Sequence, residues 1–150
     1  MAIRNILQVG DPTLRKKSFE VTSFDEKLHL LLDDMKETLK KAEGAGLAAP
    51  QVGILRRVFV VDVSEGYFEF VNPRILLQKG KQTGVEGCLS VRGKQGTVTR
   101  PNYVRISAFD RDGQPFTLEA EGFFARAIFH EYDHLEDVLY IDKAKRMEDE

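Results

Sequence analysis

The stretch Phe129-His130-Glu131-Tyr132-Asp133-His134-Leu135-Glu136-Asp137 holds two of the three histidines of the chain, four residues apart, with a glutamate after the first. On an α-helix, positions i and i+4 lie on one face a single turn apart, so both imidazoles can converge on one cation. The glutamate that follows the first histidine can reach a water on such a cation and take its proton. Working outward, the apolar pattern predicts a helix from Gly122 to Asp137. Phe123, Ala127, His130 and His134 fall on one face of it, and Phe124, Ile128, Glu131 and Leu135 form the adjacent stripe. Both histidines are therefore expected on the buried side. The competing reading is a pair of ordinary helix histidines beside an ion-pairing glutamate, but unpartnered imidazoles in a core are costly.

Two histidines do not complete a metal site. A third in the pattern His-x-x-Gly-x-x-His is absent, because Asp137 stands for that glycine and Tyr140 for that histidine. A glutamate ligand on a later helix has only Glu136, Glu148 and Glu150 to draw on. The third ligand is thus expected upstream, and Cys88, the single cysteine, is the best candidate. As a thiolate it binds divalent metals strongly; otherwise it is a small apolar side chain. Cys88, His130 and His134 would leave a fourth position for water, as catalytic sites do.

The rest of the chain predicts an α+β fold, with mostly antiparallel strands packed around the buried His-Glu-x-x-His helix. Ser23 and Glu26 have capping-box spacing ahead of a helix running to Glu43, with Leu28, Leu31, Leu32, Met35 and Leu39 as its apolar stripe. His29 lies off that stripe and reads as a surface residue. Residues 44–53, GAGLAAPQVG, are too rich in small residues for a stable strand or a long helix. From Arg56 onward short strands follow, among them RRVFVVDV, YFEFVNP, RILLQKG, GCLSVRG, TVTR, YVRISAFD and PFTLEA. Asp112-Gly113 marks a hairpin.

The 150 residues suit a single domain spanning 1–150, and the net charge of -2 argues against DNA binding. Seven basic residues against one acidic between Val71 and Arg105 form a candidate basic patch, either for an acidic partner such as the ribosome or simply solvated. One cysteine permits no internal disulfide and fits a reducing compartment. No signal peptide and no membrane span are expected, which places the protein in the cytoplasm.

Three segments taken together, Gly44-x-Gly46-x-Ala48-Ala49-Pro50-Gln51, Glu86-Gly87-Cys88-Leu89-Ser90 and His130-Glu131-x-Asp133-His134, resemble the three motifs of peptide deformylases in order and spacing. The resemblance implies hydrolytic removal of the N-formyl group from the first methionine of newly made proteins. It implies Cys88, His130 and His134 as ligands of one divalent ion, usually ferrous iron in the cell, with zinc, nickel or cobalt also accepted. It implies Glu131 as general acid/base, with the Gln51 amide and the Leu89 backbone N–H as oxyanion donors. Ala45, Gly46 and Gly87 would pair with the peptide substrate, and Gly46, Phe123, Arg126 and Ala127 would form its methionine pocket. Asp133 reads either as orienting a ligand imidazole or as a helix-surface carboxylate, and Glu86 and Arg100 either as a pair behind the site or as two separate surface charges. The chain departs from the family at Phe129, where Gln is usual, at Asp137, where Gly is usual, and at Arg92, where Pro is common. Arg126 would contact the peptide or pair with an acidic neighbour. Two further readings stay open: a relative acting on another N-acyl group, suggested by Phe129 and Arg126, and a non-catalytic, metal-stabilised peptide-binding module.

Overall fold

The computed structural model describes residues 2–149. Helix α1 spans Glu26–Ala42. Strands β1 (Gly46–Ala48), β2 (Val58–Val63), β3 (Gly66–Lys79), β4 (Gln82–Cys88), β5 (Val91–Arg100), β6 (Tyr103–Phe109) and β7 (Pro115–Glu121) precede helix α2 (Gly122–Leu135), and β8 (Arg146–Asp149) follows it. Every strand pairing is antiparallel. One sheet has the order β1-β2-β3-β6-β7 and the other β4-β5-β8.

The larger sheet is covered on both faces, and β2 shows why its sequence is continuously apolar. Val58 and Val60 point to the cluster containing Leu28, Leu31, Leu32, Met35 and Leu39 of α1. Phe59 and Val61 point the other way, to Phe124, Ala125 and Ile128 of α2. A strand buried on both sides loses the polar alternation of a half-exposed one. Fully burying each of these branched or aromatic side chains contributes roughly 1.5–3 kcal/mol. The α+β expectation, with a buried helix at its centre, is met.

Several boundaries differ from the sequence reading. Asp25, not Ser23, caps α1: its carboxylate accepts from the Leu28 N–H at 3.1 Å. A carboxylate there also carries its charge to the positive end of the helix, an advantage a serine lacks. The helix ends at Ala42, with Glu43 in the left-handed conformation (φ 56°) ahead of Gly44. The glycine-rich segment does make a strand, because the three residues of β1 borrow their partners from β2 in the register Gly46 to Val61. Ala49–Val52 then turn as a 3-10 helix. His29 is half-buried, with Nε2 at 2.8 Å from the Arg111 carbonyl oxygen.

YFEFVNP and RILLQKG form one strand, β3, rather than two. Asn72 makes this possible by taking φ 50° at a register shift between Val71 and Arg74. Its Oδ1 accepts from the Val21 N–H at 2.8 Å and its Nδ2 donates to the Val21 carbonyl at 2.9 Å. The side chain thus stands in for a missing strand partner. The hairpin expectation holds, with Gly113 (φ 82°) closing the β6–β7 turn; Asp137, standing where the family usually has Gly, takes φ 58° beyond α2. The basic run does not gather into one patch. Arg100 is buried, while Arg74, Lys94 and Arg105 are each paired with a carboxylate. Among the described residues no helix is long and apolar enough to cross a membrane.

Replacing Asn72 with Ala removes both bonds to Val21 and leaves a β-carbon in left-handed backbone. We expect Asn72→Ala to cost about 2 kcal/mol, read as a lower urea midpoint at unchanged slope.

Candidate active site

A cleft of about 390 Å³ opens between β1 and the turn that joins β4 to β5, with α2 as its floor. Ala45, Gly46, Gln51, Gly87, Cys88, Leu89, Phe123, Arg126, Ala127, His130 and Glu131 all line it. His134 lies behind His130, with its Nε2 at 3.5 Å from Cys88 Sγ. The residues expected as ligands, base, oxyanion donors and peptide contacts are therefore brought to one place.

The three candidate ligand atoms of Cys88, His130 and His134 lie within 4.8 Å of one another. A tetrahedral ion with a metal–sulfur bond near 2.3 Å and a metal–nitrogen bond near 2.0 Å requires a sulfur-to-nitrogen separation of about 3.5 Å. The Cys88–His134 distance matches that requirement. A mixed nitrogen and sulfur donor set suits a borderline divalent ion. The residues present fit a metal.

Glu86 holds this arrangement from behind. Its Oε1 accepts from His130 Nδ1 at 2.8 Å and from Arg100 Nη2 at 2.9 Å. Its Oε2 accepts from Arg100 Nε at 2.8 Å and Arg126 Nη1 at 2.6 Å. Burial works against the charge, but the bonds from Arg100 and His130 outweigh it and hold the carboxyl well below the usual range. The bond to Nδ1 leaves the other ring nitrogen of His130 for a ligand, the usual arrangement of a metal-bound histidine.

This corrects one assignment and completes another. Asp133 does not orient an imidazole; its Oδ2 accepts from Arg100 Nη1 at 2.7 Å and from Lys143 Nζ at 3.2 Å. Glu86 takes that place as well as pairing with Arg100. Its position two residues before Cys88, on the same strand, was the signal that could have found it. Arg126 pairs with an acidic neighbour, Glu86, and is buried rather than reaching out. Phe129 packs into the core with Phe124 and Leu135, away from the cleft. Ser90, part of the second motif but given no role there, is fully buried and its Oγ accepts from Gln51 Nε2 at 3.1 Å.

Gln51 sits in the 3-10 turn, 1% exposed, so it is no surface amide. Its Oε1 accepts from the Ala48 N–H at 2.9 Å, which turns Nε2 toward Cys88 Sγ at 3.6 Å. Leu89 lies in the turn after Cys88, where Gln8 Nε2 donates to its carbonyl at 3.0 Å.

Glu131 is fully enclosed and its Oε1 has no hydrogen-bond partner. Burial pushes its carboxyl up to about 7, even though the nearby His130 charge pulls the other way. A carboxyl poised near neutrality can both take and return a proton. His130 is raised to about 10: burial opposes its charge, but Glu131, Cys88 and Glu86 outweigh that. Burial, then the His130 charge, holds His134 well below its ordinary value, so the lone pair of its unprotonated ring nitrogen stays available.

Two histidines on a buried helix and a thiol beside them, with a glutamate at the floor of the same cleft, are the arrangement of a metal-dependent hydrolase. A model of the polypeptide deformylase family matches residues 3–150, and the chain belongs to that family. It is 53% identical to the peptide deformylase of Clostridium botulinum, over 97% of this chain and 99% of that one. The crystal structure of peptide deformylase from Thermotoga maritima superposes with a TM-score of 0.95 at 39% identity, covering 97% of this chain and 100% of that one. The Synechococcus elongatus enzyme in complex with actinonin gives 0.92 at 37% identity, covering 95% and 79%.

Two expected outcomes follow from the geometry. An ion must displace the proton that His130 holds below about pH 10. Affinity of the metal-free protein for Zn2+ should therefore rise roughly ten-fold or more per pH unit between pH 6 and 8, with protons released on binding, as calorimetry in buffers of different ionisation enthalpy would show. A β-carbon on Gly46 would lie 2.6 Å from Glu131 Oε2. Gly46→Ala should leave metal content intact yet lower turnover by about ten-fold or more, because the carboxylate has to move.

Proposed function

We infer that the protein hydrolyses the amide bond between a formyl group and the amino-terminal methionine of newly made proteins, releasing formate and a free amine. The observation that carries this reading is the meeting of Cys88, His130 and His134 around Glu131 at the floor of a peptide-sized cleft, in a chain of the deformylase family throughout its length. The whole chain acts as one catalytic domain, and Cys88, His130 and His134 hold a single divalent ion. When bound, that ion supplies Lewis acidity toward a water molecule and toward the formyl carbonyl oxygen.

The protein's own groups do the rest. The peptide lies extended between the Ala45–Gly46 edge and Gly87, with its methionine side chain directed toward Phe123, Arg126 and Ala127. Glu131 takes a proton from the attacking water as the new carbon–oxygen bond forms. It then passes that proton to the amine nitrogen as the carbon–nitrogen bond breaks, so formate leaves and the amine is neutralised. Gln51 Nε2 and the Leu89 backbone N–H donate to the carbonyl oxygen as it gains charge; losing one such donor typically costs about 10²–10³ in rate.

Ferrous iron is the ion in the cell, and the same donors accept zinc, nickel or cobalt; the mixed thiolate and imidazole set supports this range. Newly made chains as substrate place the enzyme in the cytoplasm. A contact with the ribosome draws support only from the members of the basic run without an ion pair among the described residues: Lys79 at the end of β3, which lies over the Tyr103 ring, Lys81 in the turn after it and Arg92 at the cleft. The reading with another N-acyl group loses its motive, since Arg126 is turned to Glu86 and Phe129 into the core.

Formate release from formyl-Met-Ala-Ser, measured in anaerobic and aerobic preparations, tests the reaction and the oxygen sensitivity expected of iron. Glu131→Gln should keep its metal by elemental analysis and lose about two orders of magnitude or more in turnover. Near-normal turnover in that variant would remove Glu131 from its role.

A further inference from the structure

The cleft is lined by two arginines with opposite fates. Arg126 is buried, its Nη1 held by Glu86 and by the Gly84 and Val98 carbonyls. Arg92 is exposed at the start of β5 and has no ion pair or hydrogen bond among the described residues. Its neighbour Lys94 is tied to Asp149.

The strand register explains the difference. Cys88 pairs with Val91, and the preceding pair joins Glu86 to Gly96. Lys94 and Gln95 pair instead with Asp149 and Glu148 of β8, which leaves Arg92 and Gly93 without a strand partner among the described residues. Gly93 takes φ 76°, and a β-carbon on it would meet nothing within 4 Å. Arg92 stands at this unpaired corner near Gly87, on the rim assigned above to the peptide backbone. The acidic groups of the cleft do not balance it. Glu86 is matched by Arg100, Arg126 and His130, and Glu131 is enclosed at the floor. The remaining rim residues, Gly44, Ala45, Val85 and Phe123, carry no charge.

An unpaired guanidinium beside a peptide-binding edge matches a carboxylate in both charge and geometry. We propose that Arg92 is a specificity residue that favours formyl-methionyl peptides with Asp or Glu at one of the two positions after the methionine. This rests on the deformylase reading, and on Gly46 and Gly87 as the edges that hold the peptide.

The test compares C-terminally amidated formyl-Met peptides with Glu, Gln or Lys at the second or third position. The Gln peptide serves as the internal reference, so a general loss of activity in a variant cancels from the ratios. At low salt the wild-type kcat/KM for Glu should exceed that for Lys by about three- to ten-fold at one position, mainly through KM. The gap should shrink in about 0.5 M salt, fall to near one in Arg92→Gln and persist in Arg92→Lys. Equal rates for Glu and Lys in the wild type, or a preference unchanged in Arg92→Gln, would overturn the proposal. If the Gln peptide releases formate without any charge preference, only the role of Arg92 fails. If no peptide releases formate, the deformylase reading fails and this inference with it.

Discussion

The Glu86 carboxylate is the point on which the site hangs. It lies on β4 two residues before Cys88, yet it grips His130 on α2 and two arginines from β5 and α2. One buried anion therefore fixes the distance between the sheet that supplies sulfur and the helix that supplies nitrogen. A carboxylate removed from water is unfavourable on its own, and losing one partner of a buried ion pair costs about 3–5 kcal/mol. Here both oxygens are bonded twice, so the charge locks the layers together instead of loosening them. The chemistry of the cleft then depends on a group that does not itself line up with the reacting atoms.

The layering serves the same end. The five-stranded sheet is pressed between α1 and α2, which turns α2 into an interior helix with an apolar stripe on one side and the cleft on the other. That enclosure sets the proton affinity of Glu131 near neutrality. It also leaves the imidazole of His134 unable to hold a charge of its own. The small sheet stands apart, with its own cluster of Val91, Val98 and Tyr140, and reaches the helix through the ionic contacts of Glu86 with Arg126 and His130 and of Arg100 with Asp133. The groups proposed for catalysis thus sit at a junction between a dry core and a separately built flap of strands.

Much of this was legible in the residues. The helix with its two histidines, the apolar stripe of α1, the hairpin at Gly113 and the convergence of Cys88 on the helix all follow from period and chemistry. The misses share a cause. Whether Asp25 or Ser23 caps a helix, whether two strand-like runs join through Asn72, and whether GAGLAAPQVG pairs at all depend on partners distant in the chain. Asn72 needs Val21, β1 needs β2, and no local window contains both. The role of Glu86 was half seen for the same reason. Its bond to Arg100 spans a hairpin, while its bond to His130 spans 44 residues. Asp133 drew attention because it sits next to the ligand in sequence, and adjacency on a helix turned it toward Arg100 instead.

The edges of the cleft are made largely of residues without side chains. Gly44, Gly46 and Gly87 border it, and Gly46 lies so close to Glu131 that any side chain there would push the carboxylate aside. A compound that copies an extended peptide would be held there by main-chain groups, which no codon change can remove. Heritable escape from such an inhibitor would have to run through the few walls that bear side chains, such as Val85, Arg92 and Phe123, or through changes elsewhere in the cell.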